Sequence, residues 1–303
     1  MGIFMRRFAF HTLDVFTAKP LSGNPLAVIH GADELDTEEM QAIARETNLS
    51  ETVFVLAPHN PLHTARIRIF TPTREVPFAG HPTIGVAVLL AEQKYGRNEK
   101  HEAIIVLEEH IGAIRCGVQI HPNGATGAEF DTPKLSAETG KAPPAERLAR
   151  ALGLVPSDVG FENHKPIRLS SGLEFLFVPV RDRDALHRAK PVIPVWMENI
   201  GMPAFIYTKL PEGQEFNFRA RMFSPDMSII EDPATGSAVA ALAGALTRFE
   251  GLHDGWHERS IEQGVEMGRP SRLQLEFEIV AGRLTGTRIG GQAVVVSEGF
   301  LTI

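Results

Sequence analysis

The stretch Phe70-Thr71-Pro72, followed by Gly80-His81-Pro82-Thr83-Ile84-Gly85-Val86-Ala87, recurs later as Phe223-Ser224-Pro225 followed by Asp232-Pro233-Ala234-Thr235-Gly236-Ser237-Ala238. Each copy places an aromatic-hydroxyl-proline triplet after a predicted strand and enters a helix of small and apolar residues through a loop. The triplets are offset by 223 − 70 = 153 positions and the loop glycines by 236 − 80 = 156. Because a repeat of this length indicates duplicated domains rather than a solenoid, we expect a ligand in the cleft where the copied loops meet.

The two helices that follow these loops, predicted at 81–96 and 235–250, are apolar on every side. A helix that is apolar all round must be buried, and both are too short to span a membrane. Alternating, β-branched segments flank each helix and predict strands around it. We therefore predict an α+β chain with two pseudo-symmetric halves, each a curved sheet or barrel wrapped around one central apolar helix.

The predicted strands of the first half lie at 8–16, 25–29, 52–56, 65–70, 103–107 and 114–120, and a capped surface helix begins after Asp36. Those of the second half lie at 174–178, 204–208, 217–223 and 273–279, with a terminal pair across Gly290-Gly291. A Gly- and Pro-containing stretch at 121–144 has little periodicity and predicts the connection between domains. We assign 1–125 to the first half and 126–303 to the second, with a C-terminal strand that can return to the first.

Composition excludes several classes of function. The chain has a formal net charge of −7 without a basic stripe, which argues against nucleic acid as a partner, and no apolar run is long enough for a bilayer. Cys116 is the only cysteine, so an intrachain disulfide is excluded and a cytoplasmic location is expected. The first residues carry no apolar signal core, so no targeting peptide is predicted. Neither a metal nor an organic cofactor is predicted, because His253 and His257 lack a third ligand and nucleotide-binding motifs are missing.

Both loops precede helix N-termini, where backbone N–H groups and the helix dipole favour a bound anion such as a carboxylate. Taken singly, each loop would be an ordinary capped helix start, since proline is common there. The duplication of the loops, together with their polar residues, favours a site for a small carboxylate-bearing substrate.

Six linked motifs, spread in order over nearly the whole chain, resemble the PhzF-like family, which is named for a phenazine-biosynthesis isomerase. They are Asn48-Leu49-Ser50-Glu51-Thr52, Ile67-Arg68-Ile69-Phe70-Thr71-Pro72, Phe78-Ala79-Gly80-His81-Pro82, Met222-Phe223-Ser224-Pro225, Glu231-Asp232-Pro233-Ala234-Thr235-Gly236-Ser237-Ala238 and Gln263-Gly264-Val265-Glu266-Met267-Gly268-Arg269-Pro270-Ser271. The resemblance implies the diaminopimelate epimerase fold, which agrees with the two-helix pattern. It also suggests a homodimer.

The resemblance implies that Glu51 transfers the proton. It further implies that the substrate is surrounded by Gly80, His81, Asp232, Gly236 and Ser237. A carboxylate with a reference pKa of about 4.3 is a poor base in water, and we expect desolvation to raise it. Each residue also has a structural alternative: Glu51 as a solvated acid, His81 and Asp232 as helix caps, and Ser237 as a small packing residue. Asn24 is interpreted as a turn former and left out of the site.

Diaminopimelate epimerases use two cysteines, one in each half, whereas Ala79 and Asp232-Pro233-Ala234 occupy the corresponding loops here. A two-thiol racemisation is thereby excluded, and Cys116 is interpreted as an inert buried thiol. The hypothesis is a cofactor-independent isomerase that moves a proton within a small carboxylate-bearing substrate by Glu51 acid/base catalysis. Two alternatives stay open: an amino or hydroxy acid epimerase in which Asp232 or His81 supplies a second group, and a non-catalytic binding or scaffold protein. The roles of Glu266 and Arg269 are left open.

Overall fold

The computed structural model describes residues 5–122, 124–227 and 229–303. The chain divides into two compact units, one comprising Met1–Phe130 with Gly290–Ile303 and the other Asp131–Ile289. The division falls 130 − 125 = 5 residues after the predicted boundary, and the C-terminal segment belongs to the first unit. The shift arises because a strand with alternating burial forms at 126–131, in the stretch whose periodicity is weak. Residues 1–4, on which the targeting-peptide prediction depends, lie outside the described residues.

The first unit is built from eight strands of its own and part of a ninth, with two helices. Its strands are β1 Arg7–Val15, β2 Asn24–His30, β3 Glu51–Leu56, β4 Ala65–Phe70, β5 Glu75–Val76, β6 His101–Glu109, β7 Gly112–Ile120 and β8 Thr126–Asp131, with the C-terminal part of β17 Arg283–Thr302. Its helices are α1 Thr37–Thr47 and α2 Gly80–Tyr95. The N-cap of α1 is Asp36, whose Oδ1 accepts a hydrogen bond from the Glu39 N–H at 2.8 Å, which confirms the predicted surface helix.

Eight of these strands close into a barrel around α2. The pairings run β1–β2, β2–β3, β3–β4, β4–β6, β6–β7, β7–β8, β8–β17 and β17–β1, so the series returns to its start. Helix α2 packs against β1, β2, β3, β6 and β7, and most of its residues are buried on all sides. The apolar side chains of α2 therefore fill the barrel, as predicted from its composition.

The second unit repeats this plan around α6. Its strands are β9 Ala137–Gly140, β10 Ile167–Ser170, β11 Glu174–Pro179, β12 Ala204–Lys209, β13 Phe218–Ser224, β14 Ile229–Asp232, β15 Gly255–Gln263 and β16 Ser271–Val280. Its helices are α3 Ala145–Leu152, α4 Arg183–Arg188, α5 Ile193–Asn199 and α6 Gly236–Phe249. Helix α6 packs against β9, β10, β11 and β16, and a second apolar cluster lies beneath α3, α4 and α5.

The two units share one strand topology. In the first, β2 is parallel to β3, β3 antiparallel to β4, β4 parallel to β6 and β6 antiparallel to β7. In the second, β11, β12, β13, β15 and β16 repeat these directions in the same order. The central helix stands at the equivalent place in each series. The predicted internal duplication is confirmed.

A duplicated ion pair fixes the strand that leads to each copied loop. Arg68 on β4 donates from Nε and Nη2 to the two carboxylate oxygens of Glu75, both at 2.7 Å. Arg221 on β13 does the same to Glu231 at 2.8 and 2.9 Å. The arginines are 221 − 68 = 153 positions apart, the same offset as the triplets. Each ion pair holds a short hairpin strand, Glu75–Val76 or Ile229–Asp232, which has too few residues for a periodic pattern to predict it.

The predicted terminal pair across Gly290-Gly291 is wrong, because β17 continues without a turn from Arg283 to Thr302. The two glycines lie inside this extended strand, which pairs with β8 and β1. No helix in the described ranges is long and apolar enough to cross a membrane.

Candidate active site

Three polar side chains meet at the start of α2 in the first unit: Asn24, Glu51 and His81. Glu51 is the first residue of β3 and pairs with Leu26 of β2, which begins at Asn24. His81 is the second residue of α2. Gly23 makes the turn before Asn24 with φ +68°, and a Cβ there would lie 2.3 Å from the Val15 carbonyl oxygen. Only glycine fits this turn, which brings Asn24 beside the helix.

His81 contacts both partners through the same ring nitrogen. Its Nδ1 lies 3.5 Å from Glu51 Oε2 and 3.5 Å from Asn24 Nδ2. His81 is 4% exposed, and burial lowers the pKa of its imidazole to about 3. The contact with Glu51 has the distance of an ion pair, but the imidazole is neutral at neutral pH, so it is a polar contact between a carboxyl group and an uncharged ring.

The other nitrogen of His81 faces inward without a partner. Nε2 is buried and makes no hydrogen bond with any described residue. In a neutral imidazole one ring nitrogen donates a hydrogen bond and the other accepts one. Nδ1 can donate to Glu51 if it carries the hydrogen, or accept from Asn24 if it does not. Nε2 is then an acceptor for a ligand in the first case and a donor in the second.

Glu51 is not duplicated in the second unit. Thr52 of β3 pairs with Phe70, and Ala204 of β12 pairs with Phe223, so Thr52 corresponds to Ala204. The counterpart of Glu51 is consequently Pro203, one residue earlier. The carboxyl group belongs to the first unit alone, so the duplicated fold carries an asymmetric set of reactive groups.

The first turn of α2 presents backbone N–H groups next to His81. Gly80 and His81 are its first two residues, whose N–H groups have no acceptor within the helix. The N-cap residue Ala79 offers no side-chain cap, and its carbonyl oxygen instead accepts from Thr83 Oγ1 at 2.8 Å. The turn is therefore fixed from within the helix, and its N-terminal end carries the partial positive charge of the dipole.

In the second unit, Asp232, Gly236 and Ser237 lie around the start of α6. Asp232 ends β14 and is 6% exposed, while Gly236 and Ser237 open the helix. The N-cap residue is Thr235, so the interpretation of Asp232 as the N-cap of α6 is wrong. Thr235 Oγ1 donates to Asp232 Oδ2 at 2.5 Å. The Ser237 carbonyl oxygen accepts from Ser171 Oγ at 3.2 Å.

Gln263 braces this loop, a role that sequence reasoning did not assign. Its Oε1 accepts from the Thr235 N–H at 3.1 Å, and its Nε2 donates to the Asp232 carbonyl oxygen at 2.8 Å. Nε2 also lies 3.1 Å from Thr235 Oγ1, and Gln263 is fully buried. The next residue, Gly264, has φ +76°, and its ideal Cβ would lie 2.6 Å from the Pro233 carbonyl oxygen. The Gln263-Gly264 pair thus shapes the loop that presents Asp232.

The other residues that the sequence singled out have contacts of their own. Glu266 Oε1 accepts from Arg219 Nη2 at 3.0 Å. His257 lies on β15 and donates from Nε2 to the His253 carbonyl oxygen at 2.8 Å. Cys116 is fully buried on β7, where burial raises the pKa of its thiol. Among the described residues, no three His, Cys, Asp or Glu side chains are arranged to hold a metal ion.

The contacts of Asn24 and Gln263 add these two residues to the candidate site residues predicted from the sequence. Glu51, Gly80 and His81 come together in the first unit, and Asn24, which was left out, contacts His81. Asp232, Gly236 and Ser237 come together in the second unit. Gly23 and Gly264 were the available signals, because each takes a positive φ that favours glycine and each is next to one of the two added residues, Asn24 or Gln263.

Comparison with known proteins gives consistent matches over nearly the whole chain. A family model described as phenazine biosynthesis-like protein matches residues 13–299. An uncharacterized isomerase from Mesorhizobium japonicum is 47% identical, over 96% of this chain and 97% of its own. A trans-2,3-dihydro-3-hydroxyanthranilate isomerase from Pseudomonas aeruginosa is 36% identical, over 95% of this chain and 96% of its own.

Solved structures match the fold as well. A phenazine biosynthesis protein of the PhzF family from Bacillus anthracis superimposes with a TM-score of 0.87 at 27% identity, over 98% of this chain and 100% of its own. A hydroxyproline epimerase from Agrobacterium vitis has a TM-score of 0.64 at 13% identity, over 100% of this chain and 94% of its own. The latter likeness concerns the fold alone.

Proposed function

The chain belongs to the phenazine biosynthesis-like protein family, and on that premise we propose that it is an isomerase that moves a proton within a small, carboxylate-bearing substrate. The observation that carries the proposal is the contact between Glu51 and the uncharged His81 at the start of α2, with Glu51 Oε2 3.5 Å from His81 Nδ1. Glu51 takes a proton from one carbon and returns it to another.

Glu51 suits this role because its side chain is partly shielded from water and still reachable by a substrate. The Glu51 side chain is 18% exposed, whereas the side chain of His81 is 5% exposed. A partly buried carboxylate loses some of its hydration and becomes a better base, while the remaining exposure lets a substrate reach it. The neutral imidazole orients the carboxylate without neutralising it, since an uncharged ring leaves the negative charge on Glu51.

His81 also has a direct role in the proposal through its inward nitrogen. Nε2 lacks a hydrogen-bond partner among the described residues, and a buried polar atom of this kind costs free energy unless a ligand satisfies it. The N–H groups of Gly80 and His81 bind the substrate carboxylate at the helix end. The family resemblance adds Asp232, Gly236 and Ser237 as substrate-binding residues, with the Asp232 carboxylate suited to an amino or hydroxyl group.

The name of the Pseudomonas aeruginosa relative suggests a substrate class. That protein acts on trans-2,3-dihydro-3-hydroxyanthranilate, a ring that bears carboxylate, amino and hydroxyl groups. We propose a substrate with the same groups on a small unsaturated skeleton. Its carboxylate would bind the N–H groups at the start of α2, and its amino or hydroxyl group would donate to the Asp232 carboxylate.

The epimerase alternative requires two groups on opposite faces of one carbon. His81 Nδ1 and Glu51 Oε2 are 3.5 Å apart, which leaves no room for a carbon between them. His81 is therefore disfavoured as the second group, and Asp232 is the residue that an epimerase of this fold would need.

One experiment separates the three hypotheses. The purified protein is incubated in deuterated water with trans-2,3-dihydro-3-hydroxyanthranilate and with cyclic and acyclic amino and hydroxy acids. Mass spectrometry and NMR then locate the deuterium. An isomerase gives a product with a moved double bond and label at the new position or, with direct transfer, none. Label at one inverted centre indicates an epimerase, and binding without any turnover or exchange indicates a binding protein.

A further inference from the structure

Glu109 and Gln263 occupy equivalent positions in the two units. In the first, Arg66 of β4 pairs with Glu108 of β6, and in the second, Arg219 of β13 pairs with Glu262 of β15. The two arginines are 219 − 66 = 153 positions apart, the same offset as the copied triplets. Glu109 and Gln263 each follow by one residue and end the strand after the central helix. The register therefore makes them counterparts.

Gln263 shows what this position does in the second unit. Its amide makes contacts of 2.8 to 3.1 Å with the Asp232 carbonyl oxygen and with the N–H and hydroxyl of Thr235. Thr235 is the residue immediately before α6. An uncharged side chain that both donates and accepts thus fixes the residue before the central helix.

Glu109 reaches the equivalent residue of the first unit through Thr83. Glu109 Oε1 lies 2.7 Å from Thr83 Oγ1, which lies 2.8 Å from the carbonyl oxygen of Ala79, the residue immediately before α2. A hydroxyl group has one hydrogen, and a carbonyl oxygen can only accept. When Thr83 donates to Ala79, the hydrogen between Thr83 and Glu109 must come from Glu109. Both contacts of Thr83 Oγ1 are hydrogen bonds at the same time only when Glu109 is a carboxylic acid.

The surroundings of Glu109 agree with an uncharged group. Glu109 is 8% exposed, its Oε2 has no hydrogen-bond partner in the part of the chain that the structure describes, and burial raises its pKa to about 8. No described cation forms an ion pair with it. Cys116 of β7 interacts with it electrostatically, and Glu109 itself lines a cleft whose titratable and charged groups are His59, His63, Arg66, Arg68, Glu108 and His110.

We propose that Glu109 is a positioning residue that works as an uncharged carboxylic acid, the first unit's counterpart of Gln263, and fixes the Ala79-Gly80-His81 turn through Thr83. Its effect on turnover rests on the proposed function, whereas its protonation state does not. Ionisation would turn Glu109 into a pure acceptor, and Thr83 could not then donate to both Glu109 and Ala79. The turn would loosen, and a buried negative charge would form next to α2.

The kinetic test compares Glu109→Gln with Glu109→Leu. We expect the wild type to lose activity as pH rises through about 8. Glutamine can donate to Thr83 and cannot ionise, so Glu109→Gln should have kcat near that of the wild type without this alkaline loss. Leucine removes the donor and should lower kcat by about 10²-fold, because small misplacements of reacting groups are costly. Glu102→Gln, an exposed change on the same strand, is the matched control and should leave the pH profile unchanged.

A second measurement does not depend on turnover. The infrared difference spectrum between wild type and Glu109→Gln at pH 6 should contain the carbonyl band of a buried carboxylic acid, and this band should vanish above pH 9. A missing band, an alkaline limb that persists in Glu109→Gln, or a folded but inactive Glu109→Gln would each overturn the proposal. If no substrate is found for the wild type, the proposed function fails while the infrared result still decides the state of Glu109.

Discussion

His81 Nδ1 lies 3.5 Å from Glu51 Oε2, at the point where the first residue of β3 meets the first turn of α2. The imidazole is uncharged because burial lowers its pKa to about 3. In the proposed function, Glu51 is the single group that removes and returns one proton, and the neutral ring orients it. The second unit has Pro203 where Glu51 stands, so it cannot supply a matching acid at that position.

The first prediction concerns stability at low pH. The pKa of His81 is about 3 in the folded chain and 6.5 by reference, so between these values only the unfolded chain binds the proton. Stability therefore falls as pH drops from 6.5, by up to about 1.4 kcal/mol per pH unit. His81→Gln removes this loss, and its free energy of unfolding should rise relative to wild type from pH 7 to pH 5. Urea titrations at each pH measure it, and a constant difference would refute the neutral His81.

Glu109 should show the opposite dependence. Its pKa is about 8 in the folded chain and 4.5 by reference, so between these values the folded chain holds a proton that the unfolded chain has lost. Stability falls as pH rises through this window, again by up to about 1.4 kcal/mol per pH unit. Glu109→Gln should gain stability relative to wild type from pH 5 to pH 8 in urea titrations. A gain in the reverse direction would mean that Glu109 is ionised in the folded protein.

A comparison of Gly264 with Gly268 separates the cost of a positive φ from the cost of a steric clash within the loop. Gly264 and Gly268 have φ of +76° and +71°, but only at Gly264 would a Cβ meet backbone atoms, at 2.4 and 2.6 Å. Gly268→Ala should cost about 1 kcal/mol from its backbone conformation alone, while Gly264→Ala should cost about 2 kcal/mol more and weaken substrate binding. Thermal unfolding and KM measure the two effects. Equal effects at both positions would mean that Gly264 does not set the Asp232 loop.

Cys116 should be unreactive in the native protein. The thiol is fully buried, and burial raises its pKa, so the thiolate that attacks thiol reagents is scarce. Treatment with a chromogenic disulfide should release one equivalent of product per chain only after denaturation, and native activity should survive. Rapid labelling of the native protein together with loss of activity would place Cys116 in the reaction.

Local sequence patterns predicted the two buried central helices and the internal duplication. The apolar helices at 80–95 and 236–249 lacked a polar face, so their burial followed from composition, and the copied loops predicted the duplication. Strand β17 was misread because glycines usually end strands, whereas here a long strand continues through two of them. The short strands β5 and β14 carry too few residues for a periodic pattern.

The sequence proposed site residues where they stood inside a copied loop or a family motif, as for Glu51 and His81, and the structure brings these two into contact. Asn24 was missed because its turn is common and its contact with His81 spans 57 positions. Glu109 and Gln263 were missed because their roles come from strand register, with partners 26 and 28 positions away. Register between parallel strands is a tertiary property that local sequence does not specify.

The most direct test of the central claim compares wild type with Glu51→Gln in deuterated water on a substrate that the wild type converts. The amide keeps the shape of the side chain but cannot accept a proton, so we expect kcat to fall by at least about 10²-fold while the ligand still binds and the protein stays folded. Glu46→Gln, an exposed change five residues before it, is the control and should behave as wild type. Substrate exchange and turnover at the wild-type rate in Glu51→Gln would contradict the assignment of Glu51 as the proton-transferring group.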